Sequence, residues 1–532
     1  MKGPRPDDNA GVPSNNHPER CDEARRNPDH GLYDLQQDSL HSTGDRPVSN
    51  DTSRTIVCAH AIGTARPVSG AQTITIKRDR LSSVEPASAP APRRLLAMPA
   101  LVNAHDHGRA IRTSSIGADA KPLETWLNYL ALFPSVDPYL AAATSFANSA
   151  LGGAGTVMVH YTRAQALTDL PTEATEVARA ARDVGIRAGF AVSMKDRNPL
   201  VYGGSEALLT ALPPQFRSEI EQRLMRKPLS PSDYMALVDD VAAAADGPGF
   251  NVQYGPNGVQ WCSDELLQAV AQASHRTGRR VHMHLLETKY QRQWADAAYP
   301  DGIVRMLDEI GLLSPRLTLA HCVWATPEEL ELLAERGVTI SVNTSSNLHL
   351  HSGLAPMRLM KERGCSLALG IDSKGLDDDD DALRELRLSY LLHAGTGFDL
   401  AMTRQQALHA AVSNGRFAVT NVNDGGLIEA GSAADMLLLD WAALDNDGLR
   451  EDLEPINTLF SRATARHIRE LIVLGRTIVR DGRVTGVDLP AIRHEVLAQM
   501  RSGMAENAAL LSALPALDQA TARHYLPEPH CC

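Results

Sequence analysis

Short apolar runs with strand character alternate eight times along this chain with longer segments that have helical spacing. The helical spacing is clear before the fifth run, where Leu266, Leu267, Val270 and Ala273 fall on one helix face. Eight strand–helix units in series predict an α/β fold, a (β/α)8 TIM barrel, whose functional residues lie at the carboxyl ends of the strands. The runs lie near residues 98–103, 156–160, 186–193, 250–254, 281–284, 317–320, 338–342 and 366–371.

Strand-like segments outside the eight units predict a second, smaller β structure. The runs Thr-Ile-Val-Cys-Ala and Thr-Ile-Thr-Ile precede the barrel, and the runs at 434–440 and 471–479 follow it. Neither end is large enough for a core of its own, so we expect one composite β-sandwich from residues 53–97 and 422–490. The barrel then spans residues 98–421, and residues 491–532 form a helical tail.

Residues 1–52 differ in composition from the rest of the chain. They are rich in Pro, Asp, Asn, Arg and Ser and have almost no periodic apolar residues. Such a segment cannot bury enough apolar surface to offset its loss of conformational entropy. We therefore expect a disordered N-terminal extension.

Charge and cysteine content exclude several classes of function. The net charge is −12 and no Lys/Arg stripe is present, which argues against a nucleic-acid partner. We expect no membrane partner, because the chain lacks an apolar run of about 18 residues and an apolar signal segment at its start. Its seven scattered cysteines are typical of reduced thiols. We expect a cytoplasmic homo-oligomer that acts on a small molecule.

Two histidines one residue apart, His105 and His107, follow the first apolar run. Side chains at positions i and i+2 of a strand point to the same face, so both imidazoles are expected to approach one point while Asp106 turns away. Two polar residues on a barrel rim are the alternative. The pair predicts half of a metal site.

Three later segments carry groups that match this histidine pair. His284 and Glu287 follow the fifth run, His321 follows the sixth, and Asp372 follows the eighth. Independent core residues would have no reason to follow the ends of strands. We therefore expect these residues to form one active site at the carboxyl end of the barrel.

Imidazole and carboxylate ligands suit Zn²⁺, Fe²⁺ or a similar divalent ion. Such an ion lowers the pKa of a bound water to about 7 and provides hydroxide near neutral pH. Glu287 is placed to pass protons as a general acid and base, although a surface position in the first turn of a helix is the alternative. His282 alternates with His284 on one strand face, and a hydrogen bond that orients another group is the simpler interpretation.

The segments Met-Pro-Ala-Leu-Val-Asn-Ala-His-Asp-His, His-Leu-Leu-Glu, Ala-His-Cys and Gly-Ile-Asp-Ser together resemble the amidohydrolase superfamily, in its cytosine/guanine deaminase and triazine hydrolase (ATZ/TRZ-type) branch. The resemblance covers residues 55 to 490. It implies that Glu287 passes protons, that His321 holds the attacking water and polarises the substrate, and that Asp372 also accepts the water's proton. It implies one metal ion, Zn²⁺ ahead of Fe²⁺, bound by His105, His107, His284 and Asp372.

Departures from the family pattern bear on the metal count and on the substrate. Binuclear relatives use a carbamylated lysine on the fourth strand, but no lysine occurs here between Lys227 and Lys289. Asn257 stands where relatives often carry histidine. The candidate substrate-binding residues are Arg109, Trp126, Gln260, Trp261 and Asn347. Packing at the rim, an ion pair for Arg109 and fixing of a loop by Asn347 are the alternatives for these residues.

The expected activity is hydrolytic deamination of a nitrogen heterocycle, in which an activated water attacks a ring amidine carbon and ammonia leaves. Hydrolysis of a cyclic amide or lactam and release of an alkylamine are the enzymatic alternatives, and a non-catalytic binding barrel is a third.

The acidic run Asp377–Asp381 is expected to open the last barrel helix, whose apolar stripe is Leu383, Leu386 and Tyr390.

Overall fold

The computed structural model describes residues 53–526, except 66, 69, 90–93, 374–378 and 451. The predicted disordered extension, residues 1–52, lies outside the described residues. So do the last six residues of the predicted tail and the first two aspartates of the run Asp377–Asp381.

The described residues form twenty strands, which are numbered here in chain order. They are β1 (Ser53–Cys58), β2 (His60–Ile62), β3 (Pro67–Val68), β4 (Gln72–Lys77), β5 (Arg80–Pro86), β6 (Leu95–Pro99), β7 (Leu101–Asp106), β8 (Ala154–Tyr161), β9 (Arg187–Met194), β10 (Phe250–Pro256), β11 (Val281–Leu285), β12 (Leu317–His321), β13 (Thr339–Val342), β14 (Ser366–Leu369), β15 (Gly395–Thr396), β16 (Asp399–Leu400), β17 (Met436–Asp440), β18 (Ile468–Val473), β19 (Arg476–Arg480) and β20 (Arg483–Val484).

Nineteen α-helices are present in the same residues. They are α1 (Leu123–Tyr129), α2 (Pro138–Leu151), α3 (Leu170–Val184), α4 (Glu206–Ala211), α5 (Pro214–Leu224), α6 (Pro231–Ala245), α7 (Asp264–Thr277), α8 (Lys289–Ala298), α9 (Ile303–Glu309), α10 (Pro327–Glu335), α11 (Thr344–His349), α12 (Met357–Glu362), α13 (Ala382–His393), α14 (Arg404–His409), α15 (Gly415–Thr420), α16 (Trp441–Leu444), α17 (Pro455–Arg462), α18 (Leu489–Gly503) and α19 (Ala508–Tyr525).

Strands β7 to β14 form the predicted (β/α)8 barrel. They are parallel, and each one pairs with the next along the chain. Every residue of β8, β11 and β12 is buried, as expected for strands covered on both faces. Helices between the strands surround the sheet. The barrel class predicted from the eightfold alternation is confirmed.

Two further sheets are built from both ends of the described chain. One has the order β1-β4-β5, and the other has the order β20-β19-β18-β17-β6-β2-β3. Strand β6, before the barrel, pairs antiparallel with β17, after it, so that Leu95 lies opposite Asp440. Ile56, Ile74 and Leu438 contribute to a core shared by the two sheets. The composite character of this β structure is confirmed.

Two predicted runs are each divided into two strands. The run at 98–103 straddles the end of β6 and the start of β7, which belong to different sheets. The run at 471–479 is interrupted by a turn, where Leu474 and Gly475 both have positive φ. The sequence stays apolar across each break, because the strands on both sides are buried. Apolar runs in the sequence therefore do not reveal where one strand ends and the next begins.

Helix starts follow the local sequence. Asp137, Asp169 and Ser263 each accept a hydrogen bond from a backbone N–H in the first turn of the following helix. Asp381 does the same for α13, where it accepts from Leu383 N and Arg384 N, as the acidic run predicted. These caps fix where each helix leaves the loop above the barrel.

Candidate metal centre

Five polar side chains meet at the carboxyl end of the barrel. His105 lies next to the end of β7, His321 ends β12, and His284 lies in β11. His107 follows β7, and Asp372 follows β14. His321 and Asp372 have φ values of 77° and 64°, a left-handed conformation that costs energy in residues other than glycine. A shift in register between Asn103 and Asp106 also lies here, and such bulges re-aim side chains next to active sites.

Nitrogen and oxygen atoms from these side chains converge on one point. The Oδ1 atom of Asp372 lies 3.1 Å from His107 Nε2 and 3.3 Å from His105 Nε2. His284 Nε2 lies 3.4 Å from His107 Nε2. Two sets of possible metal ligands share His105: one with His284 and His321, the other with His107 and Asp372. The barrel thus brings together all the metal ligands predicted from the sequence.

Backbone carbonyl groups orient two of the imidazoles. His107 Nδ1 lies 2.8 Å from the carbonyl oxygen of His160, and His284 Nδ1 lies 2.6 Å from that of Asn257. A carbonyl oxygen can only accept a hydrogen bond, so each Nδ1 carries the proton and each Nε2 keeps its lone pair. This arrangement is typical of metal-binding histidines.

Buried atoms without a hydrogen-bond partner indicate what the site can bind. Among the described residues, His105 Nε2, His321 Nε2 and Asp372 Oδ1 are fully buried and accept or donate no hydrogen bond. Leaving such groups unpaired costs about 1–3 kcal/mol each. A divalent cation would satisfy these atoms, so the residues present fit a metal ion.

Electrostatics favours the forms that bind a metal. Burial lowers the pKa of His105 to about 4 and that of His284 well below its ordinary value, so both imidazoles are neutral. Burial alone would raise the pKa of Asp372, but His105 and His107 hold it well below the usual range. At neutral pH the site therefore presents the neutral imidazoles of His105 and His284 and the ionised carboxylate of Asp372.

Glu287 lies beside the five converging groups. It follows β11 directly, and only 2% of its surface is exposed. Its Oε2 atom lies 3.8 Å from His321 Nε2, and Ser352 Oγ donates a hydrogen bond to its Oε1 atom at 3.3 Å. Burial raises the pKa of Glu287 to about 7. A carboxyl group with this pKa can both give and take a proton near neutral pH.

His321 is held by side chains from the next strand and helix. Its Nδ1 atom lies 2.8 Å from Asn347 Oδ1, and its Nε2 atom lies 3.8 Å from Asp372 Oδ2. Ser346 Oγ donates to the same Asp372 Oδ2 at 2.6 Å. Asn347 therefore contacts the imidazole of His321, and its role in substrate binding stays a prediction.

The other candidate substrate residues occupy different positions around the centre. Arg109 donates a hydrogen bond to Ser373 Oγ at 3.1 Å, and its guanidinium lies 4.9 Å above the ring of Trp126. Trp126 and Gln260 are 2% and 1% exposed. Trp261 is half-buried, and its ring centroid lies 6.4 Å from that of His284. Arg109 and Trp261 are therefore the candidates with exposed surface beside the centre.

Two histidines support the site from below. His282 stacks on His105, with ring centroids 4.9 Å apart, and its Nδ1 atom lies 3.2 Å from His160 Nδ1. His160 Nε2 lies 3.1 Å from the carbonyl oxygen of Gly255. Sequence reasoning did not single out His160. It ends the second apolar run, so the rule that found the other histidines would have included it.

A buried network behind Glu287 was also missed. Tyr202 OH and Thr288 Oγ1 donate to Glu124 Oε1 at 3.2 Å and 2.5 Å. Gln291 Nε2 donates to Tyr202 OH at 3.4 Å, while Gln291 Oε1 accepts from the backbone N–H of Glu287 at 2.8 Å. Glu124 lies in the short helix α1, and Tyr202 lies in a loop far from it in the sequence. No sequence pattern predicts their contact.

The fold and this centre define a class of (β/α)8 barrels with histidine and aspartate side chains converging at the carboxyl ends of the strands. The sequence model of the Amidohydrolase family matches residues 96–478. The chain belongs to the amidohydrolase family.

Several curated relatives with detectable sequence similarity are deaminases by name. A 5'-deoxyadenosine deaminase of Methanosarcina barkeri is 32% identical over 246 residues, which are 46% of this chain and 56% of that protein. The chain thus spans little more than half the length of this relative. A 5-methylthioadenosine/S-adenosylhomocysteine deaminase of Moorella thermoacetica is 28% identical over 82% of this chain and 96% of its own length.

Solved structures with the same fold include two that contain zinc. An adenosine deaminase from Xanthomonas campestris with bound zinc has a TM-score of 0.69 and 22% identity, over 85% of this chain and 98% of its own. The atrazine chlorohydrolase of Arthrobacter aurescens TC1, complexed with zinc, has a TM-score of 0.67 and 22% identity, over 84% of this chain and 100% of its own. At this identity the likeness shows the fold alone.

No described helix combines the length and the apolar character needed to cross a membrane.

Proposed function

We propose that this protein is a metal-dependent hydrolase that deaminates a nitrogen heterocycle. Water adds to an amino-bearing ring carbon, the bond from that carbon to the amino nitrogen breaks, and ammonia leaves a ring carbonyl behind. The observation that carries the proposal is the contact of Glu287 with His321 beside the converging ligands. The names of the curated relatives support the same reaction class.

We propose that one divalent ion, Zn²⁺ ahead of Fe²⁺, is held by His105, His107, His284 and Asp372. When bound, it supplies a nucleophile at neutral pH, because it lowers the pKa of a water to about 7. The zinc in two solved neighbours supports the choice of metal. The strand β10 contains no lysine, which supports a single ion.

Glu287, His321 and Asp372 divide the proton transfers. Asp372 accepts the proton of the attacking water, and His321 holds that water and polarises the substrate at the reacting carbon. Glu287, with a pKa near 7, carries a proton to the departing nitrogen. Protonation is essential at this step, because ammonia is a far better leaving group than its anion.

The substrate ring is expected to lie between these residues and the half-buried Trp261. A flat heterocycle stacks on an aromatic face or meets its edge at centroid distances of about 4.5–7 Å. Arg109 contributes hydrogen-bond donors from the opposite loop.

The four free cysteines among the described residues support a reducing, cytoplasmic location.

A substrate panel tests the proposal. Amino-purines and their nucleosides, amino-pyrimidines, pterins and amino-triazines are incubated with zinc-loaded protein, and released ammonia is measured. Lactams and cyclic ureas are assayed in parallel for ring opening, with the Glu287→Gln variant as the inactive control. Ammonia from at least one amino heterocycle, absent with the variant, is the expected result. Ring opening without ammonia would overturn the deaminase assignment.

A further inference from the structure

Four buried side chains form a closed hydrogen-bond network around the turn that carries Glu287. Thr288 follows this residue directly and caps α8, and Gln291 lies in the first turn of that helix. Tyr202 comes from the loop after β9, and Glu124 comes from α1. All four side chains are buried, so bulk water cannot replace the hydrogen bonds between them. We refer to Glu124, Tyr202, Thr288 and Gln291 as the Glu124 network.

A backbone N–H, which can only donate, fixes the direction of the first branch of this network. The N–H of Glu287 donates to Gln291 Oε1 at 2.8 Å, so the Nε2 atom of the same amide faces Tyr202 and donates to its OH at 3.4 Å. The Tyr202 hydroxyl therefore turns its own proton to Glu124 Oε1, at 3.2 Å.

A second backbone N–H fixes the direction of the other branch. The N–H of Gln291 donates to Thr288 Oγ1 at 3.3 Å, and the Thr288 hydroxyl gives its proton to Glu124 Oε1 at 2.5 Å. Both branches thus end on one oxygen, which must be an acceptor. Glu124 Oε2 is buried and has no hydrogen-bond partner among the described residues. The network therefore uses a single oxygen of the Glu124 carboxyl group.

The turn that the network holds is strained. Leu286, directly before Glu287, has a φ of 49°, a left-handed conformation that persists in a residue other than glycine only when its surroundings hold it. On one side of Glu287, the backbone N–H of Trp324 donates to the carbonyl oxygen of Leu286 at 3.0 Å. On the other side, the hydrogen bonds to Thr288 and Gln291 hold the chain. Without the network, we expect the turn to relax and the Glu287 carboxyl group to move.

We propose that Glu124 is a positioning residue for Glu287. By accepting from Thr288 and Tyr202, it keeps the Glu287 carboxyl group beside His321 Nε2. The inference rests on the proposed function, in which Glu287 transfers protons. Proton transfer requires heavy atoms within about 2.6–3.2 Å of each other, and a misplacement of about 1 Å can lower a rate about 10²-fold. Glu124 then affects the rate through the turn, without contact with the reacting atoms.

Kinetics of ammonia release test the proposal, with the zinc-loaded, full-length protein and the best amino heterocycle of the substrate panel. Glu124→Leu removes the acceptor and is expected to lower kcat about 10-fold to 100-fold, with KM and zinc content close to those of the wild type. Glu124→Gln keeps one acceptor oxygen and is expected to restore most of this loss. Glu173→Leu is the matched control, because it also removes a buried glutamate that accepts from a tyrosine hydroxyl. It is expected to lower the melting temperature without the loss of kcat.

Three kinetic outcomes would overturn the proposal. A wild-type kcat in the Glu124→Leu protein would show that the turn does not depend on the network. A raised KM with unchanged kcat would assign Glu124 to substrate binding. An equal loss of kcat in the Leu and Gln variants would assign its effect to the negative charge and not to the acceptor oxygen.

Hydrogen–deuterium exchange of residues 286–292, followed by mass spectrometry, tests the same network without a substrate. Glu124→Leu is expected to speed exchange at the amides of Glu287 and Gln291, and Glu124→Gln is expected to match the wild type. Unchanged exchange in the Leu variant overturns the proposal. Should that variant fail to fold, Tyr202→Phe, which breaks one branch, replaces it in both measurements, and wild-type behaviour again overturns the proposal. Failure of the proposed function is distinguishable, because the wild type then releases no ammonia from any heterocycle while exchange still responds.

Discussion

Asp372 and His105 are joined through both backbone and side chain. The backbone N–H of Asp372 donates to the carbonyl oxygen of His105 at 2.9 Å, and Asp372 Oδ1 lies 3.3 Å from His105 Nε2. Asp372 follows β14, the last strand of the barrel, and His105 lies next to the end of β7, the first strand. The contact that closes the barrel therefore also brings together two of the proposed metal ligands.

Asn103 reinforces this closure and provides a first prediction. Its Oδ1 atom accepts from the Ile371 N–H at 2.8 Å, and its Nδ2 atom donates to Asp106 Oδ2 at 2.7 Å. Asn103→Ala leaves both partners buried and unpaired, at a cost of about 1–3 kcal/mol each. We expect a lower melting temperature and weaker zinc binding. The exposed Asn457→Ala serves as the control, and an unchanged zinc affinity would contradict the role given to the closure.

The proposed ligands predict a defined metal content. Elemental analysis of the purified protein is expected to give about one divalent ion per chain, and His105→Ala or His107→Ala is expected to remove that ion together with activity. His494→Ala, which changes an exposed histidine of α18, is expected to retain both. Two ions per chain, with activity that follows the second, would contradict the single-metal proposal.

Glu287 is expected to affect chemistry more than metal binding. Glu287→Gln keeps the shape of the side chain but cannot transfer a proton, so turnover should fall about 10²–10⁴-fold. Metal content, measured on the same preparation, should equal that of the wild type. Loss of the metal from this variant, with retention in a His284→Ala protein, would mean that the two roles are reversed.

Asp435 is expected to stabilise the folded protein at neutral pH and to lose this effect at acidic pH. It accepts from Arg187 of β9 and Arg416 of α15, and thereby links the β-sandwich to the barrel. Burial alone would raise the pKa of Asp435, but Arg416 and Arg187 hold it below the usual range of a carboxyl group. The stabilisation is therefore complete above the unfolded pKa and is lost as the pH falls through the lower folded pKa.

Breaking a buried ion pair on one side costs about 3–5 kcal/mol, so Asp435→Asn should lower the free energy of unfolding by that amount at pH 7. Urea unfolding at pH 7 and at about pH 3 measures this, and the difference from the wild type should shrink at the lower pH. Asp308→Asn, which removes a surface pair with Arg336, should cost less than about 1 kcal/mol. A pH-independent difference would exclude ionisation as the cause.

The sequence by itself determined the barrel and the inner residues of the site. Periodicity along each strand and helix is a local property, so the eight units were readable without long-range information. The barrel rule then placed His105, His284, His321 and Asp372 at one end, because the carboxyl ends of parallel strands all face the same side. Segment composition also indicated that both ends of the chain share one β structure.

Only the tertiary structure decided which groups surround that inner set. Glu124 comes from α1 and Tyr202 from a loop, and their contact behind Glu287 depends on how these segments pack above the barrel. Trp126, expected to face a substrate, is buried beneath Arg109. Arg163 and Arg109 line one cavity although no spacing in the sequence relates them. Loop contacts follow from packing between elements distant in the sequence, and local periodicity carries no record of such packing.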